Sequence, residues 1–192
     1  VGIAVPGHYD TKNNSIISNN QSWAYFNLLE ISNRFKFPFI AENNIKCMAI
    51  GEYLFNVQST PENFLFFHIG AGMFCSFFQS KSLGFNSNYY LGEIGHTVVD
   101  INGPKCECGK QGCLQTYISD SWLLKRARFL FDYSQNTTLK SLVNQSKNID
   151  LTTIIHAYEL GDIYINNQID LGLKLLATSI ANSLIFQDAH KI

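Results

Sequence analysis

The chain has 192 residues, of which 46% are hydrophobic and only 15% are charged. This balance excludes an intrinsically disordered chain and favours a globular protein of one or two small domains. The formal net charge of −1 excludes bulk electrostatic attraction to nucleic acid, and no uninterrupted apolar run is long enough to predict a membrane-spanning segment.

The first part of the chain alternates predicted strands with predicted helices. Residues 1–5 are apolar and end at a Pro-Gly turn, which indicates a strand. A helix capped by Ser22 is expected next, because apolar residues recur after it at helical spacing. Residues 37–41 predict a short strand, whose proline places it at a strand start or a sheet edge. Asn43 and Asn44 then begin a second helix.

Two strands and then a run of helices are predicted for the rest of the chain. Residues 64–69 and 73–78 are apolar strands joined by a Gly-Ala-Gly turn, and strand and turn continue from about residue 84. Helices follow the cysteine-rich loop, the first capped by Ser119 or Asp120 and the last, long and amphipathic, over residues 163–186. This alternation favours an α/β layer architecture. Because the chain opens within a strand and starts another at 188–192, we expect a fragment of a longer protein.

One histidine and three cysteines in a short segment predict a structural zinc site. His96, Cys106, Cys108 and Cys113 follow the pattern H-x9-C-x-C-x4-C. Three thiolates and one imidazole surround Zn²⁺ tetrahedrally and leave no open position for catalysis. The alternative is a set of buried or oxidised cysteines near an unrelated histidine, but Cys-x-Cys is a poor disulfide arrangement. Five cysteines without a secretory signal favour a reducing, cytoplasmic compartment.

The segment around these ligands resembles the signature of the ROK family of repressors, open reading frames and sugar kinases. The resemblance rests on Gly-Glu-Ile-Gly-His at 92–96 and on Cys-x-Cys-Gly-x-x-Gly-Cys-Leu at 106–114. Weaker matches occur in the same order along the chain, at residues 1–10, 42–44, 69–72 and 161–162. The resemblance implies part of an actin-like, ribonuclease-H-like α/β fold, with a sugar cleft, a zinc-binding loop and a helical C-terminal part.

The same resemblance implies a set of sugar-binding residues. Amide and carboxylate side chains at fixed distances distinguish sugar hydroxyls, which both donate and accept hydrogen bonds. Short tethers to the metal ligands would hold Glu93 and Gln115 in place, although Glu93 alone would be a solvated carboxylate. Asn43 has a simpler alternative role as a helix cap. The implied sugar contacts are Gly7, Asn43, Asn44, Glu93, His96 and Gln115.

Departures from the family pattern favour a sensor over an enzyme. Sugar kinases of the family carry a carboxylate where Asn44 stands, and it takes the proton from the attacking hydroxyl. An amide cannot act as this base at neutral pH, and loss of a positioned base costs about 10²–10⁴ in rate. Gln115 stands where the family usually has Glu, and the bulky Phe74 replaces a small residue beside a phosphate-binding turn.

The sequence therefore predicts that residues 1–192 belong to the sugar-binding effector domain of a ROK transcriptional repressor, with the zinc loop at 96–113. The DNA-binding winged helix-turn-helix is expected outside this chain. The expected ligand is a small-molecule sugar or sugar phosphate. A homodimer or tetramer without membrane contact is also expected. One alternative is a glucokinase-like sugar kinase that uses ATP and Mg²⁺, and another is an oligomerisation scaffold that binds no sugar.

Overall fold

Short strands and helices alternate in the first part of the computed structural model, and helices form most of the rest. The structure describes residues 1–10, 13, 15–17, 23, 26–56, 62–79, 92–187 and 189–192. The chain divides into two units, the first made of residues 1–67, 75–92 and 188–192 and the second of residues 68–74 and 93–187. Each unit has a hydrophobic core of its own.

Four short strands begin the first unit. β1 (Gly2–Val5) pairs in parallel with β4 (Ile40–Asn43), and β2 (His8–Asp10) pairs antiparallel with β3 (Ser15–Ile17). Parallel pairing requires a crossover connection. The pairing of β1 with β4 brings the residues that end both strands, including Asn43, to the same sheet edge.

The helix between β3 and β4 begins later than the sequence indicated. In α1 (Leu28–Phe35), Asn27 is the cap, and its side chain accepts hydrogen bonds from the first-turn N–H groups of Leu29 and Glu30. Ser22, the predicted cap, lies outside the described residues. The helix starts where a side chain satisfies its free backbone donors, and not where apolar spacing begins.

β4 also begins later than the strand predicted at residues 37–41. Pro38 has no N–H to donate to a strand ladder, and its carbonyl accepts a hydrogen bond of 2.8 Å from the N-terminal amine of Val1. β4 leads directly into α2 (Asn44–Phe55), so the predicted helix start is confirmed.

β5 (Asn63–Ile69) and β6 (Met73–Gln79) form a two-stranded sheet where the apolar runs predicted strands. In the first unit, Phe64 stacks on Phe78 with ring centroids 4.9 Å apart. Ala49 of α2 completes this small core. The described strands form three two-stranded sheets rather than one continuous sheet.

Backbone hydrogen bonds join the C-terminal residues to β5. His190 donates to the carbonyl of Asn63 at 3.0 Å, and the carbonyl of Lys191 accepts from Leu65 at 2.9 Å. Residues 189–192 therefore pair with β5 without forming a regular strand. Residue 188, where the predicted strand starts, lies outside the described residues, as does the predicted strand-and-turn segment within 80–91.

Helices form most of the second unit. The helices are α3 (Gln115–Ile118), α4 (Asp120–Tyr133), α5 (Leu139–Leu142), α6 (Leu151–Glu159) and α7 (Ile163–Phe186). Ser119 is the N-cap residue of α4, and α7 has the predicted bounds. Apolar residues of α4, α6, α7 and the connections between them make the core of this helical region.

Within the part of the chain that the structure describes, α7 is the one helix long and apolar enough to cross a membrane. Asp170 and Lys174 interrupt its apolar sequence, and Leu176 packs against Leu114 and Ile118 in the second unit. Core helices of globular proteins meet the same criteria of length and hydropathy, so this observation is weak evidence for a membrane span.

Candidate metal centre and sugar-binding residues

The four predicted metal ligands meet in the second unit. The ligand atoms of His96, Cys106, Cys108 and Cys113 all lie within 4.8 Å of one another. The sulfurs of Cys108 and Cys113 are 3.6 Å apart, and the Cys106 sulfur lies 3.5 Å from His96 Nδ1. Tetrahedral Zn²⁺ separates two sulfurs by about 3.8 Å and a sulfur from a nitrogen by about 3.6 Å at ordinary bond lengths. The donor set and its spacing therefore fit zinc.

Tight turns bring the cysteines of this loop together. Gly109 donates to the carbonyl of Cys106 at 3.0 Å, and Cys106 donates to the carbonyl of Lys110 at 2.8 Å. Gly112 has a φ of 72°, and a side chain there would collide with the carbonyl of Asp100. The loop therefore requires glycine at this position, which accounts for part of the turn-forming sequence between the ligands.

The surroundings of the three thiols set how readily each one ionises. Burial and the neighbouring sulfurs raise the pKa of Cys113 to about 12. Burial raises the pKa of Cys106 as well, whereas the N–H of Lys110 and the adjacent thiols outweigh burial and lower that of Cys108. Zinc deprotonates the thiols that coordinate it. A bound cation would compensate the negative charge of three crowded thiolates.

His96 connects the metal ligands with Glu93. It ends a short 3₁₀ turn, Ile94–His96, which directs Nδ1 toward Cys106 and leaves Nε2 3.9 Å from Oε2 of Glu93. Coordination through Nδ1 would keep the proton on Nε2. With a metal bound, the turn would therefore place an N–H donor beside a carboxylate acceptor.

Burial influences the charge of both side chains in this turn. It raises the pKa of Glu93, and the positive charge of Lys110 opposes that effect in part. Burial and Lys110 lower the pKa of His96, while Glu107 acts in the opposite direction. The imidazole is thus held in the neutral form that binds a metal.

Gln115 lies at the start of α3 and is only 2% exposed. Its Nε2 donates to Oε1 of Glu107 at 2.7 Å and to the sulfur of Cys106 at 3.6 Å. The side chain is therefore directed into the zinc loop. Glu107 is a site residue that the sequence pattern did not single out, although its position between two ligand cysteines could have indicated it.

Gly7 and Asn43 contact each other in the first unit. The side-chain amide of Asn43 donates to the carbonyl of Gly7 at 2.8 Å. Its oxygen accepts from the first-turn N–H groups of Ile45 and Lys46, so Asn43 caps α2. The simpler role of Asn43, as a helix cap, is thus present, and sugar contact by Asn43 or Gly7 stays a prediction.

Asn44 is the first residue of α2. Its side-chain oxygen accepts from the N–H of Ile45 at 3.0 Å. The adjacent carboxylate, Glu42, accepts from the N–H of Asn43 at 2.7 Å and lies 3.7 Å from the ammonium of Lys46. An amide therefore stands at the position where the resemblance places a base, and its carboxylate neighbour is already engaged.

The turn between β5 and β6 is held by the start of α4. The N–H of Asp120 donates to the carbonyl of Gly70 at 2.9 Å, and the hydroxyl of Ser121 donates to that of Ala71 at 2.7 Å. A Cβ on Gly70 would lie 3.9 Å from a carboxylate oxygen of Asp120. Phe74, which follows the turn, is buried. A carboxylate beside Gly70 disfavours a phosphate there.

The predicted sugar contacts are distributed between the two units. Glu93, His96 and Gln115 lie in the second unit with the metal ligands. Gly7, Asn43 and Asn44 lie in the first.

Comparison with known proteins identifies the family. Residues 1–192 match the ROK family along their whole length. The chain belongs to the ROK family. One relative, the xylose repressor of Bacillus subtilis (strain 168), is 28% identical over 184 residues, which cover 95% of this chain and 45% of the repressor. The chain thus spans about half the length of this relative.

Solved ROK structures include both an enzyme and a regulator. The ROK family glucokinase from Streptomyces griseus, in complex with glucose and AMPPNP, gives a TM-score of 0.77 at 23% identity over 98% of this chain and 62% of the kinase. A ROK family transcriptional regulator, a homologue of the Escherichia coli MLC protein, gives the same TM-score of 0.77 at 21% identity over 100% of this chain and 48% of the regulator. The actin-like ROK fold is therefore shown, and it does not separate the two classes.

Proposed function

We propose that this chain is the sugar-sensing, non-catalytic effector region of a ROK-type transcriptional regulator. The observation that carries the proposal is the amide of Asn44 at the start of α2, where the family's sugar kinases have their base. The acidic side chain of Asp120 beside Gly70 also supports it, because a carboxylate there repels the phosphates of a nucleotide.

The proposed sugar site centres on Glu93 and His96. Zinc held by His96 and the three cysteines would fix the 3₁₀ turn, so that Nε2 and the carboxylate recognise adjacent hydroxyls of one sugar. We retain Gly7, Asn43 and Asn44, in the first unit, as proposed sugar contacts. In this proposal zinc has a structural role only.

The proposed ligand is an aldose, and xylose is the first candidate because a relative is a xylose repressor. DNA would be bound by a domain outside this chain, in a cytoplasmic homodimer or tetramer. The sugar would act by binding the DNA-competent and DNA-incompetent states of the regulator with different affinities, since a ligand shifts an equilibrium only by that difference.

Isothermal titration calorimetry with a panel of aldoses, including xylose and glucose, tests sugar binding. We expect one of them to bind, and Glu93→Gln to weaken its affinity by about 10- to 100-fold, because a carboxylate hydrogen bond to a hydroxyl is lost. Glu159→Gln is the matched control, since this exposed residue ends α6.

Absence of heat for every sugar in the panel would favour the scaffold that binds no sugar. Equal affinities of Glu93→Gln and Glu159→Gln would place the sugar elsewhere in the protein.

A further inference from the structure

The side chain of Gln115 makes two polar contacts in the zinc loop, and both partners are acceptors. Nε2 is 2.7 Å from the carboxylate of Glu107 and 3.6 Å from the sulfur of Cys106. Cys106 is a thiolate when it binds a metal, so an amide oxygen turned toward it would face two anions. The NH₂ group is therefore the end that must point into the loop.

We propose that Gln115 is a positioning residue of the metal loop rather than a sugar contact. Its NH₂ group donates one hydrogen to Glu107 and the other to Cys106, and so joins the ligand sulfur to the residue that follows it. Hydrogen bonds of this kind orient metal ligands and stabilise the charge on thiolates. The proposal rests on the metal site and does not depend on the proposed sugar function.

The presence of glutamine, and not glutamate, at this position follows from the same contacts. A carboxylate of the same shape would place its oxygen 2.7 Å from Glu107 and beside the thiolate of Cys106, where like charges repel. Position 115 is buried, so water screens this repulsion only from the side of Glu107, which is exposed. The presence of Glu107 thus accounts for Gln115 at a position where the family usually has Glu.

Gln115 also contacts the turn that carries Glu93 and His96. A Cβ added to Gly95 would lie 3.1 Å from the side-chain oxygen of Gln115 and 2.9 Å from Cβ of Met73. The turn therefore packs directly against the amide, and its glycine is required by this close approach. A substitution at position 115 would therefore alter contacts with both the metal ligands and the proposed sugar-binding turn.

Competition with a zinc chelator tests the proposal in the intact protein. We expect Gln115→Glu to lower zinc affinity by about 10- to 100-fold, as loss of a hydrogen bond to a metal ligand does. Gln111→Glu, the same change at an exposed position of the same loop, keeps the wild-type affinity. Equal affinities of the two variants would overturn the proposal, as would purified wild-type protein that binds no zinc.

A second exchange tests whether Glu107 is the partner. In Gln115→Glu combined with Glu107→Gln, the donor and the acceptor change places, and we expect part of the zinc affinity to return. With Co²⁺ as the probe, the thiolate-to-metal absorption of Gln115→Glu should shift from that of wild type, because a hydrogen bond to Cys106 is lost. An unchanged spectrum together with no recovery in the double variant would contradict the assignment.

Variants of the exposed partner keep the test independent of folding at position 115. Glu107→Gln removes the charge but retains an acceptor for Gln115, whereas Glu107→Ala removes both. We expect zinc to dissociate several-fold faster from Glu107→Ala than from Glu107→Gln. Equal dissociation rates would show that the hydrogen bond from Gln115 to Glu107 has no part in holding the metal, and would contradict that part of the proposal.

Discussion

Asp162 shows how much one buried carboxylate contributes in the second unit. One oxygen accepts from the hydroxyls of Thr137 and Thr138 and from the N–H of Thr138, at 2.6 to 3.1 Å. The other accepts from the N–H groups of Tyr164 and Ile165 and so caps α7. Both oxygens are therefore committed to donors, and the residue joins the segment before α5 to the longest helix.

Replacing Asp162 by Asn should destabilise the protein by about 1–3 kcal/mol, since the new NH₂ group faces donors and leaves them without an acceptor. Urea denaturation measures the loss. Asp150→Asn is the control: Asp150 caps α6 from an exposed position, and only one of its oxygens accepts hydrogen bonds from Thr153. A loss in the control as large as that in Asp162→Asn would contradict this account.

The same carboxylate predicts a pH dependence of stability. Burial raises the pKa of Asp162, but hydrogen bonds from Thr137, Ile165 and Thr138 outweigh burial and hold the pKa below its ordinary value. A pKa lowered by folding stabilises the protein above the unfolded value of about 3.9 and ceases to do so as the pH falls through the folded value. The stability difference between wild type and Asp162→Asn should therefore shrink below about pH 4.

Individual residues of the site were predictable where their chemistry alone fixes the role. His96 and the cysteines at 106, 108 and 113 come together as predicted, because three thiols and an imidazole at this spacing in a glycine-rich loop are typical of a zinc site. The direction of Gln115 was not predictable, because it depends on Glu107 and Gly95 as three-dimensional neighbours.

Two glycines inside helices differ in their surroundings, so one tests close packing and the other tests helix propensity. Gly172 lies within α7, and a Cβ there would be 2.8 Å from Cδ1 of Ile118 and 2.9 Å from the carbonyl oxygen of Tyr117. Gly51 lies within α2, and a Cβ there would meet no atom within 4 Å. α7 therefore packs closely against α3 at Gly172, whereas α2 has space for a side chain at Gly51.

Gly172→Ala should therefore destabilise the protein by about 1–3 kcal/mol through overpacking. Gly51→Ala should stabilise it by about 0.5–1 kcal/mol, because alanine loses less backbone entropy in a helix than glycine does. Chemical denaturation of both variants measures the two effects. Stabilisation by both substitutions would show that α3 and α7 are not in close contact.

Elements were predicted best where one periodic pattern runs without interruption. α7 has the predicted bounds, Ile163–Phe186, because its apolar spacing continues over about six turns. The predicted starts of α1 and β4 were too early. Asn27 caps α1, and Pro38 has no N–H for a strand ladder; apolar spacing reflects neither effect. The parallel pairing of β1 with β4 joins segments that are distant in the chain, which local patterns do not encode.

For the whole molecule, family membership leaves the choice between enzyme and regulator open. A glucokinase and a transcriptional regulator match the chain with the same TM-score of 0.77, so their common fold supports both functions. The decision therefore depends on a few side chains, and above all on Asn44. The chain spans about half the length of its repressor relative, so the choice between the two functions stays a proposal.

The fate of a bound sugar in the presence of Mg²⁺ and ATP tests the central claim most directly. The protein would be incubated with the aldose that binds it, and phosphorus NMR would follow the formation of sugar phosphate. We predict that the sugar is recovered unchanged while ATP remains intact, because an amide at position 44 takes no proton from the hydroxyl. Sugar phosphate that accumulates over many turnovers would contradict the account and identify the protein as a kinase.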